Sequence, residues 1–265
     1  MYNRFQLSKK YLHYYLTACN SKGHGIHSPF VFDFVKNVLN DKKTYPAYQS
    51  IEKIRKQLLI NSTVINVEDF GAGSSVVKTN TRVVSAIAAS SLKPKKYAQL
   101  LYRMVQYYKP TTIIELGTSF GITSAYLAAG NATAKVFTCE GSTAIAAIAK
   151  QNFEQLQLKN IQLTGGDFAE TLSPLLAKLK IVDFAFVDGN HRKEPTLDYF
   201  TKLIKCSNSN TILIFDDIHW SAEMEAAWQV IKQHPQVTLT IDLFFIGIVL
   251  INPDFKIPQQ FSIQF

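Results

Sequence analysis

The sequence predicts an α/β protein. The expected architecture is a doubly wound, mostly parallel sheet of seven strands with the last strand antiparallel, preceded by an N-terminal helical cap. Three observations carry this. From Thr111 onward, short β-branched apolar runs alternate with stretches of helical spacing. Each of the first five runs closes on an acid, or has one in the turn just after it. Two further runs, Val237–Phe244 and Ile246–Asn252, follow with almost no gap, so they must be antiparallel neighbours.

Residues 1–91 read as the cap. Phe5 to Cys19 is an aromatic-rich helix with Tyr11, Tyr14 and Tyr15 clustered. Ser28 can cap the next helix with Pro29 at its first position, and that helix runs to about Leu39. A third spans Tyr48 to Ile60, and no period-2 strands alternate with these helices. His24 and His27 share a glycine-containing turn with no nearby acid or cysteine, so they read as loop residues rather than metal ligands.

Residues 92–265 form the second domain. Pro94 to Tyr108 is a helix, because Leu100, Leu101, Met104 and Val105 fall on one face. Strand one is Thr111–Glu115, with a helix to Ala129; strand two is Ala134–Glu140, with a helix through Phe153. Strand three is Ile161–Thr164, followed by a helix over Ala169–Leu179. Strand four is Ile181–Asp188, followed by Pro195–Ile204; strand five is Thr211–Phe215, followed by Ala222–Gln233.

Composition narrows the class. At 265 residues, 47% of them apolar, the chain can bury a full core and is not disordered. Its longest apolar run, Leu243 to Ile251, is too short to cross a bilayer, and Met1 to Lys10 has no signal-peptide core. Cys19, Cys139 and Cys206 are scattered without metal spacing, which fits free thiols in a cytoplasmic protein. Residues 1–100 hold 15 of the 28 Lys and Arg but 5 of the 20 Asp and Glu. That asymmetry reads either as a solvated basic surface or as attraction to an acidic substrate, nucleic acid or anionic lipid.

The chemistry starts at Glu115-Leu116-Gly117-Thr118-Ser119-Phe120-Gly121. A buried strand ends in an acid, a two-glycine turn follows, and a small-residue helix begins. Glycine lets a ligand approach the backbone, and the helix start offers unpaired N–H groups. The spacing Glu-x-Gly-x-x-x-Gly differs from the dinucleotide fingerprint G-x-G-x-x-G, and the acid suits a ligand with a cationic amino group. The stretch resembles motif I of class I S-adenosylmethionine (SAM)-dependent methyltransferases. E-L-G-T-x-x-G-x-[ST] is similar to the O-methyltransferase branch that includes catechol O-methyltransferase. The resemblance implies a Rossmann-like methyltransferase fold and a SAM site that includes Glu115, Gly117, Thr118, Ser119 and Gly121. A Gly- and His-containing segment ahead of such a domain resembles uncharacterised bacterial methyltransferases. Asp69-Phe70-Gly71-Ala72-Gly73-Ser74 mimics the motif in composition, yet no apolar helical period follows it, so it reads as a loop.

Ligands in this topology bind beyond the carboxyl ends of the strands. Glu140, 25 residues after Glu115, can accept both ribose hydroxyls. By position, Asp167 can accept from the adenine amino group and Phe168 can cover the ring, and the resemblance implies the same; Asp167 as a helix cap is compatible. In the metal-dependent relatives, acids at the next two strand ends hold a divalent cation, which implies Asp188, Asp216 and Asp217 here. Three hard oxygen donors suit Mg²⁺ or a similar ion. Where the catechol-type enzymes have a lysine base three residues after the first acid, this chain has His191, which can take a hydroxyl proton with Asp188 beside it. The plain alternative is a helix-capping Asp188 with a packed His191.

The expectation is therefore a SAM-dependent transfer of a methyl group to a hydroxyl oxygen of a small molecule, assisted by a divalent cation, and assembly as a homodimer stays open. The alternative is a nucleic-acid methyltransferase that uses the basic cap. It is disfavoured because Asp188-Gly189-Asn190-His191 replaces an Asn/Asp-Pro-Pro-Tyr-type motif. A third reading, a SAM-binding protein without catalysis, conflicts with an acid at every expected strand end.

Overall fold

The computed structural model describes residues 1–21, 27–68 and 80–265. His24 and the Asp69–Ser74 loop lie outside the described residues. The helices are α1 (Arg4–Thr17), α2 (Pro29–Phe34, continued by a π turn over Val35–Leu39), α3 (Pro46–Leu59), α4 (Val84–Ser91) and α5 (Lys95–Tyr108). They continue with α6 (Ile122–Gly130), α7 (Thr143–Gln155), α8 (Phe168–Leu179), α9 (Lys193–Lys205) and α10 (Ala222–Lys232). The strands are β1 (Val64–Asn66), β2 (Thr81–Val83), β3 (Thr112–Leu116), β4 (Lys135–Glu140) and β5 (Ile161–Gly165). After them come β6 (Val182–Val187), β7 (Ser207–Asp216), β8 (Leu239–Asp242), β9 (Ile246–Leu250) and β10 (Gln259–Ser262). Among the described residues, no helix is long and apolar enough to cross a membrane.

The chain divides into two compact units, Lys42–Lys178 and Met1–Asp41 with Leu179–Phe265. In the first, β3, β4 and β5 run parallel, with Glu115 opposite Thr138 and Glu140 opposite Gly165. The register matters because it sets two acidic strand ends beside the turns that follow them. The apolar strand residues Ile113, Ile114, Leu116, Val136 and Cys139 are fully buried, as a parallel strand covered on both faces requires. A separate short antiparallel pair, β1 with β2, interrupts a segment read from sequence as helical. Three-residue strands whose side chains are all exposed or half-buried carry too little alternation to be seen in the sequence.

The second unit has five strands in the order β10-β8-β9-β7-β6. β6 and β7 are parallel, and β9 is antiparallel to both β7 and β8, as the tight β8–β9 connection demands. β10 adds parallel to β8, with Gln259 opposite Leu239. Among the described residues the two units hold three and five strands of the mostly parallel sheet where seven were expected in all, and the antiparallel strand is the last but one in sequence. Gln259-Gln260-Phe261-Ser262 is polar and lacks the run that marks a buried strand, so its pairing depends on the exposed edge of β8. The mostly parallel α/β sheet with flanking helices is otherwise as expected. α1 starts at a capping box in which Asn3 and Gln6 cap each other. Its inner face, Leu7, Tyr11 and Tyr14, packs on Phe244 and Phe245.

Candidate active site

β3 ends beside Glu115, which is fully buried. Its Oε2 accepts the Thr138 hydroxyl at 2.6 Å and also the Ser124 hydroxyl. The hydroxyls of Thr118 and Thr138 lie 2.6 Å apart. These groups satisfy Oε2 of a carboxylate whose burial alone would cost several kcal/mol, roughly. The turn after β3 then uses positive φ three times, at Gly117 (102°), Ser119 (48°) and Gly121 (79°). Gly117 and Thr118 donate their N–H groups to the Cys139 carbonyl at 3.0 and 3.1 Å, which ties the turn to β4. Gly121 caps α6, and a Cβ there would lie 2.3 Å from Phe153 Cε1. Glycine is thus required at this position for both conformation and space.

Glu140 ends β4. Its Oε2 accepts the Ser119 N–H at 2.8 Å and its Oε1 accepts the Ser142 N–H at 3.0 Å. Burial pushes its carboxyl above the ordinary carboxylate range, while backbone N–H bonds from Ser142, Ser119 and Gly141 pull against that. Three N–H donors leave about one of the carboxylate's roughly four lone-pair sites for a ligand hydroxyl. Gly166, at φ 122°, donates to the Glu140 carbonyl at 2.9 Å and so brings the β5 turn alongside. Asp167 caps α8 through the Ala169 N–H at 2.9 Å, and Phe168 is the partly buried first residue of that helix. Glu115, Gly117, Thr118, Ser119, Gly121 and Glu140 therefore form one bonded turn, with Asp167 and Phe168 joined to it through Gly166.

The other acids lie in the second unit. Val187 and Phe215 are register partners, so the residues that follow them, Asp188 and Asp216, emerge at the same end of β6 and β7. Asn190, at φ 64°, accepts from Arg192 Nε at 2.7 Å and donates to the Tyr199 hydroxyl at 3.3 Å. That fixes the turn that presents His191. Its Nε2 lies 3.5 Å from Asp188 Oδ1 and its Nδ1 lies 4.0 Å from Asp217 Oδ2. One ligand atom each from Asp188, His191 and Asp216 fall within 4.8 Å of one another. Asp216 is buried, at 1% exposure.

The sequence placed Asp217 in the cation set; among the described residues the group of three contains His191 instead. Asp217 takes φ 52° and donates its N–H to the Phe245 carbonyl at 2.6 Å. Its Oδ2 still lies 4.0 Å from His191 Nδ1, at the edge of that group. Two carboxylates and an imidazole are a donor set that suits a hard or borderline divalent cation.

Three residues in or beside these sites were not singled out from sequence. Ser124 and Thr138 support Glu115, and neither carries a motif signal, since hydroxyl residues are common inside helices and strands. His219 bridges Glu225 (Nδ1, 3.0 Å) and Asp242 (Nε2, 2.8 Å). Its position two residues after Asp217 was the available signal, but the partner Asp242 lies 23 residues further on.

Residues 114–218 match a family model described as a methyltransferase domain, a span that includes every site residue singled out from sequence. No curated protein matches the chain. Among solved structures, the O-methyltransferase from Bacillus cereus in complex with SAH aligns at TM-score 0.56 and 20% identity, over 83% of this chain and 97% of that one. The SAH-bound methyltransferase of Podospora anserina aligns at TM-score 0.59 and 12% identity, over 95% and 97%. The O-methyltransferase TomG of Streptomyces achromogenes, in complex with SAM, aligns at TM-score 0.55 and 15% identity, over 79% and 91%. Residues 114–218 are thus similar to a methyltransferase domain, and the chain has the fold of these proteins.

Proposed function

We propose that this chain transfers a methyl group from SAM to a hydroxyl oxygen of a small molecule. The observation that supports oxygen as the acceptor is the approach of His191 to two carboxylates, Asp188 at 3.5 Å and Asp217 at 4.0 Å, inside a methyltransferase domain. An imidazole held between acids can keep one nitrogen as N–H and leave the other to accept a proton. In this reading His191 takes the acceptor's hydroxyl proton. The oxygen lone pair forms the new bond to the methyl carbon, the carbon–sulfur bond breaks with its electrons going to sulfur, and S-adenosylhomocysteine leaves. Positioning and this one deprotonation supply most of the rate.

Glu140 accepts a ribose hydroxyl, Asp167 and Phe168 hold the adenine, and the turn from Gly117 to Gly121 accommodates the amino-acid end. Glu115 serves from beneath, by fixing that turn. A divalent cation such as Mg²⁺ would be held by Asp188 and Asp216, with the His191 lone pair left free to act as the base. Bound there, it would supply a Lewis acid that polarises the acceptor oxygen. Residues 1–91 are proposed as the cap that selects the acceptor. Nucleic acid is not favoured as substrate, because the turn after β6 reads Asp188-Gly189-Asn190-His191 and not an Asn/Asp-Pro-Pro-Tyr-type motif.

The test is methyl transfer from labelled SAM to a panel of phenols, sugars and hydroxy acids, alongside calorimetric binding of S-adenosylhomocysteine. Binding with turnover that His191→Ala abolishes supports the reading. S-adenosylhomocysteine binding with transfer to nitrogen or to RNA would replace it.

A further inference from the structure

A second concavity lies wholly within the unit formed by Met1–Asp41 and Leu179–Phe265, and none of Asp188, His191 or Asp216 lines it. Its volume is about 690 Å³, within the range of about 300–1,000 Å³ typical of small-molecule sites. One wall is a face of α1 that presents Gln6, Lys9, Lys10, His13 and Thr17, three and four residues apart. The floor is aromatic. Phe244 and Tyr14 are buried with ring centroids 5.3 Å apart, and His219 stacks on Phe244 at 5.1 Å.

The acids of this groove are already engaged. Glu225 accepts from the Tyr2 hydroxyl at 2.7 Å, from Lys10 at 3.0 Å and faces His219 Nδ1 at 3.0 Å. Asp242 accepts the Phe244 N–H at 2.8 Å on one oxygen and faces His219 Nε2 at 2.8 Å with the other. Lys10 is consumed in the same network and lies 4.5 Å over the Tyr2 ring. Lys9 and His13 remain, one helical turn apart and exposed. No carboxylate among the described residues pairs with Lys9, and the sequence has no acid before Asp33. The groove thus combines ring walls, which favour a flat apolar body, with an unspent cation and N–H donor, which favour an anion. A cationic ligand would meet Lys9 with nothing to offset it.

We propose that this groove is a binding site for a planar aromatic acid, its ring against Tyr14 and Phe244 and its anionic group on Lys9 and His13. The inference stands on the groove alone and does not depend on methyl transfer.

Calorimetry on the full chain with three isosteric probes tests it: 2-naphthoate, the neutral 2-naphthamide and 2-naphthylmethylammonium. Saturable binding of naphthoate is expected, with the amide weaker by about tenfold or more and the amine weaker still. The exposed double variant Lys9→Glu/His13→Glu should lose naphthoate binding by at least about tenfold, with amide binding within a few-fold and an unchanged circular dichroism spectrum. Thr17→Trp, which fills the groove from the exposed end of α1, should weaken both naphthoate and amide. Equal affinity for acid and amide overturns the proposal. So does an unaffected double variant, displacement of naphthoate by S-adenosylhomocysteine, or no saturable heat from naphthoate at millimolar concentration.

Discussion

Glu140 and Ser119 are joined by a hydrogen bond of 2.8 Å from the Ser119 backbone N–H to the Glu140 carboxylate. The bond links the end of β4 to the glycine turn after β3, so the acid proposed to hold the ribose also fixes the loop proposed to hold the rest of the cofactor. Glu140→Ala removes both functions. It should weaken S-adenosylhomocysteine binding by about 1–3 kcal/mol in calorimetry, with Glu140→Gln intermediate. Because burial raises the Glu140 pKa, a ligand that donates to the ionised form should also bind less well as pH falls through that raised value. An affinity unchanged by both substitutions would place the ribose elsewhere.

Gly121 should tolerate no side chain. Gly121→Ala combines a left-handed φ of 79° with a Cβ 2.3 Å from Phe153 Cε1. Urea unfolding should show a loss of about 2–4 kcal/mol. Adding Phe153→Leu should recover part of it and leave the conformational cost of about 1–2 kcal/mol. If the double variant is no better than the single, the ring is not the obstacle.

His219 should give the stability a pH dependence. Burial lowers its pKa, but hydrogen bonds to Asp242 and Glu225 outweigh that and leave it raised from 6.5. Its contribution is therefore complete below about 6.5 and is lost as pH rises through the raised value. Glu225 is held below 4.5, because although burial raises it, Tyr2, Lys10 and His219 donate to it; its contribution is lost as pH falls below that. Stability from this network should peak between the two. Replacing His219 by Gln should lower Tm by several degrees, on the order of 2–8 °C, at pH 5.5 and by less at pH 8.5. A Tm loss equal at both values would mean that the imidazole acts by packing on Phe244 alone.

His191 and the carboxylates around it should separate base from cation. With an acceptor in hand, His191→Ala should lower turnover by roughly 10²–10⁴. Chelation should reduce turnover while S-adenosylhomocysteine affinity stays within a few-fold, and Asp216→Asn should mimic chelation. Full activity in chelator would leave Asp188 and His191 as the proton-transfer pair without a cation.

The sequence by itself determined the sheet and most of its strand ends. The apolar runs from Thr111 to Phe215 are local, and so is the positive φ that a glycine at position 121 can adopt; both are written in residues adjacent along the chain. The short gap between Asp242 and Ile246 likewise forces β8 and β9 to be antiparallel. What the tertiary structure decided is where side chains from distant segments meet. β10 exists because the edge of β8 offers unpaired backbone groups, and its own polar residues announce nothing. Thr138 supports Glu115 because the parallel register sets them opposite, and a one-residue slip would turn that hydroxyl to the other face. His191 comes within 4.8 Å of Asp188 and Asp216 because β6 and β7 pair in parallel and set the turns after them side by side. The groove under α1 depends on Glu225, which pairs with Lys10 from 215 residues away, and on Asp242, which holds His219. Local propensity fixes elements and turns. Pairing across the sheet, which rewards fit and not sequence proximity, fixes the sites.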